Sequence, residues 1–309
     1  MGRAQKKNQT QKKSRLPGKI DYTLSEAHIG RNPGLTKAQN RMHILAAQSK
    51  LPAQESVQPP TSVARFSPQF PASFTNRVVP VANVASILRA FQRFRARGIT
   101  AYGFTVQHSL TSCSGLHIPR EVDARGLVSF VVNGEAIVND LAREQLGLFI
   151  TAADAPNMVS ARVSLPGKPD LSMERALFAF LHNARGALTH LSLNLSFIDK
   201  DAFKEYLLDE GGARLVSLEI ESSSKVQDYI LEALMCPQSH CFPNLQRLCL
   251  RLKKLEVDLL VAALWQRHHW QGVQAPLHVE TAAKVDAESR AEALALGVTF
   301  CVPDVFRHV

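Results

Sequence analysis

The sequence lacks the features that identify several large classes of protein. No run of about 18 apolar residues occurs, so we expect no transmembrane helix, and the charged N-terminus lacks the apolar run of a secretory signal. Cysteine is scarce, and the set is odd in number, which argues against a disulfide framework. The five residues are Cys113, Cys236, Cys241, Cys249 and Cys301. We therefore expect an intracellular protein, cytoplasmic or nuclear, in a reducing compartment.

Motifs that identify common enzyme families are also missing. The chain has no Gly-x-Ser-x-Gly elbow, no Gly-x-Gly-x-x-Gly fingerprint and no His-Glu-x-x-His zinc motif. Gly167-Lys168 does not belong to a phosphate-binding loop, because no glycine lies five residues before Gly167. The sequence therefore predicts a protein that is not an enzyme and that holds no cofactor and no metal.

One cluster of potential metal ligands needs a separate interpretation. It is Cys236-Pro-Gln-Ser-His240-Cys241, and Cys249 follows nearby. Thiolate and imidazole groups suit zinc, but no Cys-x-x-Cys pair occurs. Cys249 also alternates with Leu248 and Leu250, which places its side chain on the opposite face of a strand. Ordinary loop or buried cysteines explain the cluster more simply than a zinc site.

Positive charge is in excess, and the excess is confined to one end of the chain. The first 50 residues hold 11 Lys or Arg and only two acidic residues, whereas the remaining 259 hold 25 of each sign. Residues 1–75 are also rich in polar residues and proline and show little apolar periodicity. We therefore predict a disordered basic tail over residues 1–75.

The basic residues of this tail form a short cluster near its start. Its members are Lys6, Lys7, Lys12, Lys13 and Arg15. Such a cluster is typical of a nuclear-import signal or of a contact with nucleic acid or an anionic membrane surface. The alternative is a tail that only keeps the chain soluble, with no partner of its own.

A repeated hydrophobic pattern organises the second half of the chain. The order apolar-x-x-apolar-x-apolar occurs at 188–193, 215–220 and 245–250, so the copies follow one another at a nearly constant spacing. Apolar residues two apart lie on one face of a strand, so each copy predicts a strand. Apolar residues at i, i+3 and i+4 follow each copy and predict a helix with one apolar stripe. Stacked copies bury both apolar faces, which one strand and one helix alone cannot do.

Weaker copies extend the pattern in both directions at a similar spacing. Val163-Ser-Leu165 precedes the pair Leu191 and Leu193, and Leu277-His-Val279 follows the pair Leu248 and Leu250. Because the spacing along the chain is close to that of the strong copies, we expect Val163 to align with Leu191 and Val279 to align with Leu250. A final apolar run, 298–302, follows a helical pattern and predicts a terminal cap.

These copies resemble the leucine-rich-repeat family in its longer strand-plus-helix form, over residues 158–309. The resemblance implies an α/β solenoid in which parallel strands alternate with helices. One departure is that the family usually places Asn or Cys three residues after the last strand leucine, where this chain has Ser196, Ser223 and Lys253. The alternative is an ordinary α/β domain in which strands happen to alternate with helices.

Residues 78–157 predict an α/β segment that caps the N-terminal end of the solenoid, unless they hold degenerate repeats. Within this segment, 83–97 has the apolar spacing of a helix, and Gly98 supplies its end. Arg89, Arg93 and Arg97 form a basic stripe on this helix. The stripe suits a phosphate or an acidic partner, although a solvated face is the simpler interpretation.

The resemblance also implies a binding wall made of the residues between the strand leucines. Besides Cys249, these positions are Ser192, Asn194, Ser217, Glu219, Glu221, Gln246, Arg251, His278 and Glu280. The set is polar and mixed in charge, which suits a protein partner better than the phosphate backbone of a nucleic acid.

We therefore expect a non-catalytic interaction protein, a role that the resemblance makes compatible with an adaptor, a substrate receptor of a ubiquitin ligase or a secreted effector. The alternative is a nucleic-acid- or ribosome-associated protein that acts through its basic tail. An α/β enzyme is a third hypothesis, which would need a cleft at the carboxyl ends of the strands.

A pair of neighbouring substitutions tests the assignment of inward and outward positions. Leu218→Asp should unfold the body, because it places a charge among buried leucines. Glu219→Lys, one position further on, should leave folding intact and alter partner binding. Thermal unfolding monitored by circular dichroism separates the two outcomes, and equal disruption by both substitutions would show that the assignment is wrong.

Overall fold

The computed structural model of the chain describes most of residues 68–301. The described residues are 68–72, 74–76, 83–106, 110–133, 139–165, 171–195, 198–208, 212–222, 226–235, 242–252, 255–271 and 276–301. The cluster of basic residues in the predicted tail lies outside them, and so do Ser196, Ser223 and Lys253.

A nine-stranded parallel sheet forms the centre of the fold. In chain order the strands are β1 (Thr75–Asn76), β2 (Tyr102–Val106), β3 (Val122–Asp123), β4 (Leu127–Asn133), β5 (Ala153–Asp154), β6 (Ser160–Leu165), β7 (His190–Leu195), β8 (Ser217–Ser222), β9 (Arg247–Leu252), β10 (Leu277–Thr281) and β11 (Val298–Cys301). Strands β3 and β5 pair with each other, and the other nine lie side by side in the order in which they occur in the chain.

The described residues also form seven helices. They are α1 (Val84–Ala96), α2 (Asp140–Ala152), α3 (Leu171–Asn183), α4 (Lys200–Tyr206), α5 (Gln227–Met235), α6 (Val257–Gln271) and α7 (Ala287–Ala295). A helix lies between every two neighbouring strands of the main sheet except β2 and β4. The prediction of an α/β fold with parallel strands alternating with helices is confirmed, and the leucine-rich-repeat solenoid stays a prediction.

The helices lie in one row. Successive helices contact each other from α1 to α4 and from α5 to α7, and Lys204 of α4 forms a 2.9 Å ion pair with Glu232 of α5. Helices that alternated between the two faces of the sheet would be separated from their neighbours by the sheet itself. The row therefore covers one face of the sheet with apolar side chains and leaves the other face to polar ones.

The three strong copies of the repeat have the register that the sequence predicts. Leu191 of β7 is the Cα partner of Leu218, and Leu218 is in turn the partner of Leu248. All three side chains are buried against the helices. The spacing of the copies along the chain therefore brings equivalent leucines side by side, as stacking of identical units requires.

The two weaker copies lie two residues away from their predicted register. Val163 pairs with Leu193 rather than with Leu191, and Val279 pairs with Leu248 rather than with Leu250. Because side chains alternate with a period of two, a slip of two residues keeps the same side chains on the buried face. The hydrophobic pattern alone therefore could not distinguish the two registers.

The order apolar-x-x-apolar-x-apolar also occurs at 127–132, and it occurs at 158–163, which is the weaker copy of β6 in its observed register. Phe130 of β4 pairs with Ala161 of β6, and Ala161 pairs with Leu191, so 127–132 and 158–163 are in register with the strong copies. The first position of each copy, Leu127 or Met158, is fully buried and closes a turn by donating its amide hydrogen to the residue three before it. Residues 78–157 thus contribute strands to the same sheet as residues 158–309.

Helix α1 confirms the helix predicted over residues 83–97. Asn83 caps its start, with the side-chain oxygen accepting a hydrogen bond from the amide of Ser86 at 3.0 Å. Gly98 follows the last turn with φ +63°, a left-handed conformation that favours glycine. The buried face of α1 includes Phe91, whose ring lies 5.8 Å from that of Phe149 in α2. Aromatic packing therefore fills this end of the core, where the strong copies instead use leucine.

Candidate binding surface on the open sheet face

The face of the main sheet opposite the helices is a polar surface, which we call the open face. Between β4 and β11 its residues are Ser129, Val131, Asn133, Ser160, Arg162, Ser164, His190, Ser192, Asn194, Ser217, Glu219, Glu221, Arg247, Cys249, Arg251, His278, Glu280, Thr299 and Cys301. Each alternates with a residue that faces the helices. Most are only partly buried, whereas Leu191, Leu193 and their equivalents are almost fully buried.

The open face includes all but one of the wall residues that the sequence predicts. The exception is Gln246, which precedes β9. It alternates in step with the buried Leu248 and Leu250 and therefore does not belong to the open face. Arg247, the next residue, occupies the open face instead and is the Cα partner of Ser217. The repeat leaves two positions between its first two leucines, and only the second of them belongs to the strand.

Sequence reasoning also missed His190 and Arg162, for which a signal existed. Counting back one residue from the first strand leucine of each copy identifies His190 and Arg247, just as it identifies Ser217. Arg162 precedes Val163 on β6 and pairs with Ser192 of β7 across the sheet. Alternation applied to every copy would therefore have found these three side chains.

Ion pairs connect the three strands β8, β9 and β10 on the open face. Arg247 donates two hydrogen bonds to Glu280, at 2.8 and 3.0 Å. Arg251 donates to Glu219 at 2.7 Å and to Glu221 at 3.4 Å, and Arg247 Nη1 lies 3.9 Å from Glu219. We call these five residues the ion-pair cluster. Its two arginines neutralise two of its three carboxylates, so the cluster has one net negative charge.

Cys249 lies beneath the ion-pair cluster. On its own strand it is flanked by Arg247 and Arg251, and across the sheet it pairs with Glu219 and Glu280. The longer side chains cover it, so its exposure is 0% although it belongs to the open face. Burial, together with the negative charge of Glu219, raises the pKa of the Cys249 thiol to about 12. The thiol therefore stays protonated at neutral pH, which suits neither a nucleophile nor a zinc ligand.

The ion-pair cluster has lowered pKa values at its own member Glu280 and at the neighbouring His190. Burial raises the pKa of Glu280, but the hydrogen bond and positive charge of Arg247 outweigh burial, and the net pKa is lowered. Burial lowers the pKa of His190, and the charge of Arg247 lowers it further. The Nδ1 of His190 lies 2.8 Å from the Thr189 hydroxyl. Glu280 is therefore ionised and His190 neutral at pH 7.

The part of the open face on β4, β6 and β7 has a different character. Its side chains are mostly short hydroxyls and amides, including Ser160, Ser164 and Ser192. Arg162 stands among them as an exposed cation, and no ion pair or hydrogen bond joins it to any described residue. The open face therefore combines a region of paired charges with a region of small polar groups around one arginine.

The ion-pair cluster changes the outcome expected for Glu219→Lys. The Glu219 side chain is only 13% exposed, and its carboxylate accepts the shortest hydrogen bond that Arg251 makes. A lysine there would place a third cation against Arg247 and Arg251 without a partner, so we expect destabilisation rather than intact folding. Ser192, the Cα partner of Glu219 on β7, is the better position for a neutral control.

The other candidate groups have no common site. Residues 236–241 of the cysteine–histidine cluster lie outside the described residues, and so does the basic cluster of the tail. Arg89, Arg93 and Arg97 are exposed at one end of the fold, on α1 and at its C-cap. Their predicted stripe therefore belongs to the helix row and not to the open face.

Replacing Glu280 with Gln should reveal the pH dependence of the ion-pair cluster. Because the pKa of Glu280 is lowered by folding, its stabilising contribution exists above the ordinary pKa of 4.5 and disappears as pH falls through the lower folded value. We expect the variant to lose about 1–3 kcal/mol of unfolding free energy at pH 7. The difference from wild type should shrink below pH 4.5, which urea denaturation at several pH values measures.

Glu221→Gln is the matched control for this experiment. Its side chain is 43% exposed and contacts Arg251 only at 3.4 Å, so its loss should destabilise the protein less at pH 7. A difference between wild type and Glu280→Gln that stays constant from pH 7 to pH 3 would contradict the role assigned to Arg247 and Glu280.

Neither a metal site, a membrane span nor a known relative indicates a function for the described part of the chain. Among the residues that the structure describes, no group of three or more His, Cys, Asp or Glu side chains is arranged to hold a metal ion. Within the same part of the chain, no helix has the length and apolar character needed to cross a membrane. No protein-family model, no curated protein and no solved structure matches the chain.

Proposed function

We propose that the chain is a non-catalytic protein-interaction module, a leucine-rich-repeat-like solenoid that binds a protein partner on its open face. The observation on which the proposal depends is the contrast between the two faces of one parallel sheet. The helix row covers one face with apolar side chains, and the other presents an organised polar surface. Polar groups on such a face can supply the hydrogen bonds that protein interfaces contain.

The order of the strands supports the solenoid part of the proposal. Doubly wound α/β enzymes reverse their strand order at one point and bind ligands in the crevice that the reversal creates. The main sheet here has no such reversal, since its strands follow the chain order from β1 to β11. Equivalent hydrogen bonds also recur: the carbonyls of Val159, Thr189 and Val216 each accept the amide hydrogens of two residues at the start of the next copy.

The geometry of the ion-pair cluster supports binding by this face. Arg247 lies between carboxylates of β8 and β10, and Arg251 is held by two carboxylates of β8, so the polar groups of β8 to β10 are already ordered. Ordering side chains on association costs roughly 0.5–1.5 kcal/mol for each long side chain, and a surface ordered beforehand avoids that loss. The cluster therefore reduces the cost of forming an interface.

A bulky substitution on the open face should block a partner. Ser192 lies near the middle of this face, on β7, and Ser192→Trp would place a large ring where a partner contacts the sheet. The matched control is Ser172→Trp, at an exposed position of α3 on the helix row. We expect proteins captured from a cell extract by the full chain, identified by mass spectrometry, to be lost with Ser192→Trp and retained with Ser172→Trp.

Two results would count against this proposal. Capture that is the same for Ser192→Trp and wild type would show that the open face is not the binding surface. Capture lost with Ser172→Trp alone would move the interface to the helix row. Unfolding midpoints of both variants, measured in parallel, establish that each protein is folded.

The distribution of charge favours a second function, in which the basic tail binds nucleic acid. The whole positive excess of the chain lies within residues 1–50, and five basic residues cluster between positions 6 and 15. Each phosphate contact that a protein makes with duplex DNA changes the slope of log affinity against log salt by about −0.9. A basic cluster of this size is therefore large enough to give a salt-sensitive association.

Neutralising this basic cluster provides the test of the second function. The variant replaces Lys6, Lys7, Lys12, Lys13 and Arg15 with Gln. We expect it to reduce the salt slope by up to about 4.5 in a fluorescence-anisotropy titration with duplex DNA or RNA. Ser192→Trp is the control and should bind as wild type does. An unchanged slope would show that these five side chains contact no phosphate.

A further inference from the structure

The three arginines of the open face differ in their partners. Arg247 and Arg251 are bonded to glutamates of the neighbouring strands, and their side chains are only 25% and 24% exposed. Arg162 is exposed and has no acidic neighbour in register, since its Cα partners are Val131 and Ser192. The residues two positions away on its own strand are Ser160 and Ser164. Arg162 is thus the arginine of this face whose donors remain for a partner.

The carboxylates of the open face show a corresponding difference. Glu219 and Glu280 have side chains that are 13% and 21% exposed, and they accept arginine hydrogen bonds of 2.7 and 2.8 Å. Glu221 is 43% exposed, and its contact with Arg251 is the longer of the two that this arginine makes. Glu221 is therefore the carboxylate of the ion-pair cluster with most remaining capacity to accept a cation.

Sheet geometry sets the distance between the Cα atoms of these two residues. Arg162 lies on β6 and is in register, through Ser192, with Glu219 on β8, and Glu221 is two residues beyond Glu219. Two strand spacings of about 4.8 Å and two residues of about 3.3 Å separate the Cα atoms of Arg162 and Glu221 by about 12 Å. Ser164, Ser192 and Asn194 lie between them, and these short side chains leave room for another chain to approach.

We propose that Arg162 and Glu221 form a two-point charge site that binds a partner segment with a carboxylate and a cationic side chain at this same separation. The inference rests on the proposed function and adds the chemistry of the partner. An extended chain spans the distance in three or four residues, at about 3.3 Å per residue. The partner's Asp or Glu accepts hydrogen bonds from the guanidinium group of Arg162, and its Lys or Arg donates hydrogen bonds to Glu221.

The charge site also sets the direction in which the partner lies. The same segment bound in the reverse direction would place like charges against Arg162 and Glu221, which is unfavourable. The pairing therefore selects one of the two directions along the line between β6 and β8. Hydroxyl and amide groups of Ser164, Ser192 and Asn194 are available to a partner backbone in either direction and do not select.

The probe is a displayed library of random peptides, each long enough to cross the sheet from β6 to β8. Peptides that bind the full-length protein are selected from this library. We expect the enriched peptides to contain an acidic and a basic residue three or four positions apart. Their affinity should fall roughly fivefold to tenfold for Arg162→Glu, because an attraction becomes a repulsion. Exchanging the peptide's acidic residue for Lys should restore binding to Arg162→Glu and weaken binding to wild type.

Two variants control for folding and for total charge. Arg93→Glu makes the same charge change at an exposed position of α1 and should bind the peptides as wild type does. Arg162→Gln removes the charge with less disturbance and should give a smaller loss than Arg162→Glu. The unfolding midpoint of each variant shows whether it retains the wild-type fold.

The outcomes separate this inference from the proposed function. Enriched peptides without acidic residues, or with equal affinity for Arg162→Glu and wild type, would overturn the charge site and leave open-face binding intact. Wild-type protein that enriches no peptide over the Ser192→Trp variant would overturn both. Restored binding after the charge exchange would confirm the contact between Arg162 and a carboxylate.

Discussion

Alternation of side chains along the parallel strands is the constraint from which the rest of this structure follows. A single row of helices covers one face of the main sheet, so every strand buries one set of side chains and presents the other. Burial of a leucine such as Leu193 stabilises the fold by about 1.5–3 kcal/mol relative to an exposed one, which fixes the residue type on the covered face. Positions on the open face do not form this core, and their polar groups can vary from copy to copy.

The ion-pair cluster shows how charge is accommodated on that open face. Partial burial of a carboxylate is unfavourable by itself, and it raises the pKa of Glu280. The two hydrogen bonds from Arg247 outweigh this effect, so that Glu280 remains ionised at neutral pH. The side chains of the cluster also cover Cys249, and this burial keeps its thiol protonated. In one part of the open face the charges are therefore paired with each other, while the part around Arg162 retains an exposed cation for an external group.

Particular residues show how far the sequence could predict this arrangement and where it could not. Repeated leucines fixed the faces of β7, β8 and β9, because alternation is a local property of a strand. The copy at 127–132 fits the apolar order but was not recognised, because Phe130 and Val132 stand where the strong copies have leucine or isoleucine; both are buried in register with Ala161 and Val163. Gln246 was predicted for the wall, although alternation with Leu248 and Leu250 places Arg247 there instead.

The sequence by itself determined the α/β alternation, the buried face of the strongly patterned strands and the concentration of positive charge in the first 50 residues. Only the tertiary structure decided which charged side chains meet. Arg247 and Glu280 are 33 residues apart in the chain, and Arg251 and Glu219 are 32 apart. A slip of two residues between strands preserves every buried apolar position and changes every cross-strand partner on the open face. Hydrophobic periodicity therefore specifies the face of a strand, whereas the packing of helices and turns sets the register that brings charges together.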